Sequence, residues 1–132
     1  MTQPNSNVVP LCQLGAKSAA SALAENRDLT LQDKLTVYQN ASRYWRRFLT
    51  SNQISLIFYI VDRSVGWGKG SFKAYSENVL NGNEHHAGME LSRGTYFRTL
   101  KELEEMGLIW RISEGQMIRI VLNLRWKLDV NT

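Results

Sequence analysis

The chain has 132 residues, of which 43% are hydrophobic and 21% are charged. This length suffices for one domain with an extension and is short for two ordinary domains. No segment is long and apolar enough to cross a bilayer, and residues 1–10 lack the basic-then-apolar order of a secretory signal. One cysteine, Cys12, cannot form an internal disulfide, so we expect a cytoplasmic protein without a disulfide framework.

The basic residues are concentrated in two zones, although the net charge is only +4. Six lie between residues 43 and 73 against the single acid Asp62, and four lie between residues 111 and 127 against Glu114. The zones contain Arg43, Arg46, Arg47, Arg63, Lys69 and Lys73, and then Arg111, Arg119, Arg125 and Lys127. This distribution favours a polyanion bound at several points. Ordinary solvated surface is the alternative.

The first 30 residues contain both prolines and few large apolar side chains, which predicts a flexible arm with a short helix over residues 18–25. From Leu31 the apolar spacing is helical as far as Leu49, with arginines on the polar side. We therefore assign residues 1–30 to the arm and residues 31–128 to a domain that begins with this helix.

A second helix is predicted after Thr50, an N-cap that Gln53 completes as a capping box. The apolar run that follows also fits a buried strand, but it is too long for one and Gly66 is a suitable C-cap. Residues 66–70 then predict a turn with Trp67 in the core. Residues 74–80 predict a short helix, and residues 81–90 a polar loop.

The clearest helix runs from Ser92, a predicted N-cap, to Met106, before a left-handed Gly107. Its core face contains Tyr96, Thr99, Leu100 and Leu103. Two β-rich runs follow at residues 108–112 and 117–122, separated by a glycine-containing turn over residues 113–116. The predicted fold is mainly α with a small β-hairpin, a winged helix-turn-helix with an N-terminal helical extension.

The other face of this helix is basic in its first half and acidic in its second half. That order opposes the helix dipole, which suggests that function selected it. In a major groove, Arg93 and Arg98 would reach guanine edges or phosphates, and Thr95 and Phe97 would touch thymine methyls. Gly94 would permit close approach of the backbone. An ordinary amphipathic surface helix remains the alternative.

A hairpin directly after such a helix is how wings are built, and Arg111 and Arg119 on it would hold phosphate or the minor groove. Arg119 could instead be a solvated strand residue. The candidate DNA-binding residues are Ser92, Arg93, Gly94, Thr95, Phe97, Arg98, Lys101, Arg111, Arg119, Lys69 and Lys73.

Two segments carry a family resemblance. Residues 49–69 end in Gly66-Trp67-Gly68-Lys69, and residues 91–109 begin Leu91-Ser92-Arg93-Gly94-Thr95 and end Gly107-Leu108-Ile109. Together they resemble the N-terminal winged-helix domain of phage replication proteins of the lambda O type, over roughly residues 49–112. Residues 75–88 depart from that family in being longer and more polar. The chain also ends about twenty residues after the wing begins, so we expect a regulator more than a complete initiator.

Other chemistry finds little support. Residues 66–70 lack the spacing of a phosphate loop, and Glu84, His85 and His86 lack the partners that complete a metal site. No catalytic triad can be assembled, so we expect no enzyme, metal or cofactor.

Three functions are open. The first is sequence-specific binding of double-stranded DNA, as a transcriptional regulator of a phage, plasmid or other mobile element. The second is replication initiation or an accessory role in it. The third is a protein-interaction module in which the helix with Tyr38, Trp45 and Phe48 binds a partner. In each case a homodimer could form through the N-terminal helix, because that helix must bury its apolar face.

Overall fold

The computed structural model describes residues 28–84, 87–124 and 126. Within them lie four α-helices, two short 3-10 helices and three strands, a mixed α/β architecture. The α-helices are α1 (Leu31–Arg43), α2 (Ser51–Ser64), α3 (Ser76–Asn81) and α4 (Arg93–Glu105). The strands are β1 (Ser71–Ala74), β2 (Ile109–Glu114) and β3 (Met117–Leu122), and the 3-10 helices are Trp45–Phe48 and Val65–Trp67.

The first helix is shorter than the apolar spacing predicts. Thr30 caps α1 in a reciprocal capping box with Asp33, and the helix ends at Arg43 instead of continuing to Leu49. The 3-10 helix that follows places Trp45 in the core with no exposed surface, and the chain is extended at Leu49. This change of direction lets Thr50 begin α2 immediately afterwards.

The apolar run after Thr50 is a helix, as predicted, and not a strand. The Thr50 hydroxyl accepts from the Gln53 amide while the Gln53 side chain accepts from the Thr50 amide, which confirms the capping box. The predicted end at Gly66 is wrong, because the chain passes into a 3-10 turn and the left-handed residue is Gly68, with φ 78°. Its carbonyl accepts a hydrogen bond from the Leu29 amide at 2.8 Å.

Trp67 lies outside the core, contrary to our expectation, with 71% of its surface exposed. Gly66, just before it, faces α1 closely enough that a Cβ there would lie 3.2 Å from the Tyr38 hydroxyl. The turn therefore directs its glycine toward α1 and its tryptophan toward solvent.

The predicted hairpin is confirmed, and a third strand joins it. β2 and β3 pair antiparallel from Ile109 with Leu122 to Glu114 with Met117. Residues 71–74 lie between the predicted turn and, at Ala74, the start of the predicted short helix; they form β1 and pair antiparallel with β3, so the strand order is β1-β3-β2. Four residues are too few to show a strand period, and β1 is stabilised by its ladder to β3.

The second predicted short helix is present but shifted. It occupies Ser76–Asn81 instead of residues 74–80, because Ala74 completes the ladder of β1 and Tyr75 becomes the N-cap. The polar segment that follows contains one isolated bridge, between Gly82 and Ala87.

The helix α4 begins and ends as predicted. The Ser92 side chain accepts from the Thr95 amide, and Gly107 is left-handed with φ 83°. The predicted core face is buried, and it packs with α1, α2 and the inner face of the sheet. The largest fully buried side chains are Trp45, Tyr96, Leu56, Ile57, Ile60, Leu100, Leu103, Leu108, Ile109 and Leu122. Each contributes about 1.5–3 kcal/mol by leaving water.

Part of the predicted organisation lies outside the described residues. This applies to residues 1–27 of the arm, with Cys12 and the helix predicted over residues 18–25, and to Arg125 and Lys127. Across the described residues, no helix combines the length and apolarity needed to span a membrane.

Candidate nucleic-acid interface

The acidic half of α4 anchors the helix to its neighbours. Gln53 donates to Glu102 at 3.0 Å, joining the start of α2 to α4. The Arg111 guanidinium donates twice to Glu104, at 2.8 and 3.1 Å, joining β2 to the same helix. From the sequence, we attributed the place of these carboxylates, which opposes the helix dipole, to function. Two of them have structural partners instead, and these partners explain their place near the C-terminus.

The outward face of α4 carries exposed cations. Arg98 and Lys101 lie on the side opposite the buried face and are exposed. Among the described residues, neither forms an ion pair. Gly94 is exposed on the same side, and a Cβ built there would meet nothing within 4 Å. This side of α4 therefore offers an open approach to the backbone at Gly94 and two exposed cations to a ligand.

Two hydroxyls close the N-terminus of α4. Ser92 accepts from the Thr95 amide at 3.1 Å, and the two side-chain hydroxyls lie 2.9 Å apart in a hydrogen bond. The Thr95 carbonyl also accepts from the Thr99 hydroxyl. Both predicted site residues are thus held by the local structure of the first turn.

Arg93 and Phe97 form a unit with a residue that the sequence reasoning missed. Arg93 Nη1 lies 2.9 Å from Glu77 Oε2, and the guanidinium carbon lies 5.3 Å from the centre of the Phe97 ring. We expected the Phe97 ring to be exposed, but it is half-buried against Tyr96, with ring centres 5.0 Å apart. Glu77 belongs to α3, and no local pattern connects it with α4.

The hairpin arginines are engaged inside the protein. Arg119 Nε donates to Glu114 at 2.7 Å and its Nη1 donates to Ser71 at 3.1 Å, while Lys73 lies 3.6 Å from the same Glu114. The hydrogen bond from Arg119 holds the pKa of the Glu114 carboxyl below its usual value, against an opposing effect of burial, and the charge of Lys73 lowers this pKa further. Arg119 and Lys73 therefore form a cluster around one carboxylate. Arg111 is held by Glu104 in the same way.

Lys69 lies apart from this cluster. Its ammonium pairs with Asp28, beside the hydrogen bond that joins Leu29 to Gly68. These contacts connect the turn after α2 to the start of α1, and they do not connect it to α4. The structure thus brings together most of the predicted site residues on α4 and places Lys69 elsewhere.

The end of α1 carries a second exposed basic group. Arg43, Arg46 and Arg47 are exposed and form no ion pair within the described part of the chain. Of the three aromatic residues named for the third function, Trp45 is fully buried, Tyr38 is half-buried and Phe48 is 40% exposed.

The structure describes only part of the segment that the sequence analysis considered, and rejected, as a metal site. Glu84 is described, while His85 and His86 lie outside the described residues. Among the residues that the structure describes, no group of three or more His, Cys, Asp or Glu side chains could hold a metal ion.

Neither the comparison of the sequence with protein families and characterised proteins nor that of the fold with solved structures finds a match.

Proposed function

We propose that this protein binds double-stranded DNA sequence-specifically, with α4 as the recognition helix of a winged helix-turn-helix domain. The order α2, β1, α3, α4, β2, β3 and the strand order β1-β3-β2 support this assignment. In that arrangement the helix before the hairpin enters the major groove, and the hairpin forms the wing.

The observation that carries the proposal is the pair of exposed cations, Arg98 and Lys101, on the outward face of α4, which form no ion pair with the part of the chain that the structure describes. Exposed arginines and lysines supply phosphate contacts, and arginine also pairs with the guanine edge in the major groove. A helix that packs through one face and presents unpaired cations on the other has the surface that a duplex requires. Gly94 adds an open approach to the backbone of the first turn.

The biological role we propose is that of a cytoplasmic transcriptional regulator of a phage, plasmid or other mobile element. Replication initiation is the alternative, favoured by the resemblance of residues 49–112 to the lambda O type. The arrangement of binding sites separates the two, since a regulator occupies a single operator and an initiator occupies repeats at an origin. Both roles are those of a binding protein and not of an enzyme.

A homodimer through the N-terminal helix stays a prediction. Leu31 and Leu35, one turn apart on α1, expose 79% and 51% of their surfaces. Sedimentation equilibrium of the full chain, compared with a Leu31→Lys variant, tests this prediction directly. A monomer at all concentrations would contradict it.

The experiment that tests DNA binding is a fluorescence-anisotropy titration with duplexes from the protein's own genomic neighbourhood and with scrambled duplexes, at two salt concentrations. We expect a salt-sensitive preference above about a hundredfold for a specific duplex. Arg98→Ala should weaken binding to both duplexes and make it less sensitive to salt. Arg43→Ala, a matched loss of one exposed arginine on α1, should leave both affinities unchanged.

The same titration can also contradict the proposal. If no duplex is preferred over scrambled DNA, and Arg98→Ala behaves like the unchanged protein, then α4 is not a recognition helix. The protein-interaction module would then be the better hypothesis.

A further inference from the structure

We propose that Glu77 is a positioning residue that holds Arg93 to read a guanine at the N-terminal end of α4. This inference rests on the proposed DNA binding and adds to it the identity of the base and the residue that prepares the contact. It also divides the basic residues of α4 into one that reads sequence and two that contribute affinity.

The guanidinium of Arg93 is held from two sides. Glu77, in the first turn of α3, accepts from Arg93 Nη1 at 2.9 Å. Phe97, one turn further along α4, lies beneath the guanidinium at 5.3 Å from its ring centre. The ring itself packs edge-on against Tyr96, which is buried in the core. The position of the guanidinium is thus tied to the core through an aromatic contact and to α3 through a carboxylate.

The stability of the fold does not account for this arrangement. The Arg93 and Glu77 side chains are 57% and 66% exposed, and ion pairs between such exposed side chains contribute little to folding. Arginine in the first turn of a helix is also disfavoured by the helix dipole. We therefore attribute the ion pair between Arg93 and Glu77 to the orientation that it gives the guanidinium, and not to a contribution to the stability of the fold.

The arginine retains the donors that a guanine needs. A guanidinium has five N–H donors in a fixed planar arrangement, and two of them can pair with O6 and N7 of guanine in the major groove. With one nitrogen already bound to Glu77, the plane is set before DNA arrives. Ordering the side chain in advance lowers the conformational entropy that binding would otherwise cost.

Arg98 and Lys101 differ from Arg93 in this respect. Neither has an ion-pair partner among the described residues, so neither is fixed in advance. Unfixed cations suit phosphate contacts, which tolerate variable geometry and carry no sequence information. Arg93 is therefore assigned to specificity, and Arg98 and Lys101 to affinity and register.

The test is a binding selection of the full chain from a library of randomised duplexes, followed by affinity measurements on the enriched sequence and its single-base variants. Arg93→Ala should lower discrimination at one guanine position by about 5- to 150-fold. Glu77→Gln keeps the size of the side chain and removes its charge. It should weaken the preference at the same position severalfold without lowering affinity for non-specific duplex.

Glu105→Gln is the matched control, because Glu105 is an exposed glutamate on α4 whose substitution changes the net charge equally. It should leave the preference at every position unchanged. Circular dichroism should give the same thermal midpoint for Glu77→Gln as for the unchanged protein, since a purely structural role would move that midpoint and not the base preference.

The outcomes separate the two proposals. If the unchanged protein enriches no sequence, the proposed function fails and this inference fails with it. If a sequence is enriched but Arg93→Ala keeps every base preference, DNA recognition stands and the inference is wrong. If Arg93→Ala loses the preference and Glu77→Gln keeps it, the positioning role of Glu77 is overturned.

Discussion

The indole nitrogen of Trp45 donates a 2.7 Å hydrogen bond to the backbone carbonyl of Trp126, and the two rings pack edge-on with centres 6.2 Å apart. The indole nitrogen of Trp126 in turn donates to the Met106 carbonyl at 2.8 Å. These bonds connect the 3-10 helix after α1, the segment after β3 and the end of α4. The α1 region is therefore built into the core, although the sequence reads it as an extension.

Trp126→Ala should destabilise the protein by about 3–5 kcal/mol, because it leaves a cavity beside the Trp45 ring and removes the indole that donates to the Met106 carbonyl. Urea denaturation followed by far-ultraviolet circular dichroism measures the change. Trp67→Ala is the matched control and should change stability by no more than about 0.5 kcal/mol, since Trp67 is exposed. Equal losses in the two variants would contradict this assignment of buried and exposed tryptophans.

Gly94→Ala should stabilise the fold by about 0.5–1 kcal/mol and weaken DNA binding. The added methyl group meets nothing within 4 Å and reduces the conformational freedom of the unfolded chain. It also stands where the backbone of α4 would approach a duplex. Thermal denaturation and anisotropy on the same samples provide both measurements. A variant that is more stable and binds DNA as tightly would remove Gly94 from the interface.

Gly88→Ala should have the opposite effect on stability and cost about 1–3 kcal/mol. A Cβ at Gly88 would clash with the Leu80 carbonyl oxygen and lie 2.6 Å from the Asn81 carbonyl carbon, and backbone atoms cannot move aside as a side chain can. The amide of the next residue, Met89, donates to the Val79 carbonyl, so the segment is also tied to α3. Denaturant midpoints for the two alanine variants should fall on opposite sides of that of the unchanged protein.

Stability should decline at high pH through Tyr96. Burial, with a smaller contribution from Tyr59, raises the pKa of Tyr96 to about 12, above the ordinary value of 10.0 of the unfolded chain. The neutral phenol is the favoured form in the fold. Its contribution is therefore fully present below the unfolded pKa and is lost as the pH rises through the folded one.

Urea midpoints measured at about pH 9 and about pH 11 test this linkage, because the two conditions lie on either side of the unfolded pKa. Tyr96→Phe has no phenol to ionise and should show a smaller decline between these conditions. An identical decline in the two proteins would assign the alkaline loss to other groups.

Glu114→Gln should strengthen binding to non-specific duplex. The substitution releases Arg119 and Lys73 from their shared carboxylate. If the hairpin is a wing, each cation that then reaches a phosphate should steepen the dependence of log affinity on log salt by about 0.9. A slope equal to that of Glu105→Gln would show that these two cations stay away from phosphate, and the prediction of wing arginines would be wrong.

Features set by neighbours along the chain were predictable. The capping box of Thr50 and Gln53, the cap at Ser92 and the left-handed Gly107 depend on hydrogen bonds within about one helical turn, so residue order alone specifies them. The core face of α4 follows from its period of 3.6, and the two strands of the hairpin follow from β-rich runs on either side of a glycine-containing turn. The exposed basic face of α4 was predictable for the same reason.

Features that depend on distant partners were not predictable. β1 is a strand because β3 lies beside it, and the Glu114 carboxylate occupies Arg119 and Lys73 only once the sheet has formed. Glu77 reaches Arg93 only after α3 and α4 pack together. Residue types and local spacing thus determined the helices, their caps and their surface charge. Tertiary structure decided which charges are paired and which stay free, because an ion pair depends on distance in space and periodicity records only distance along the chain.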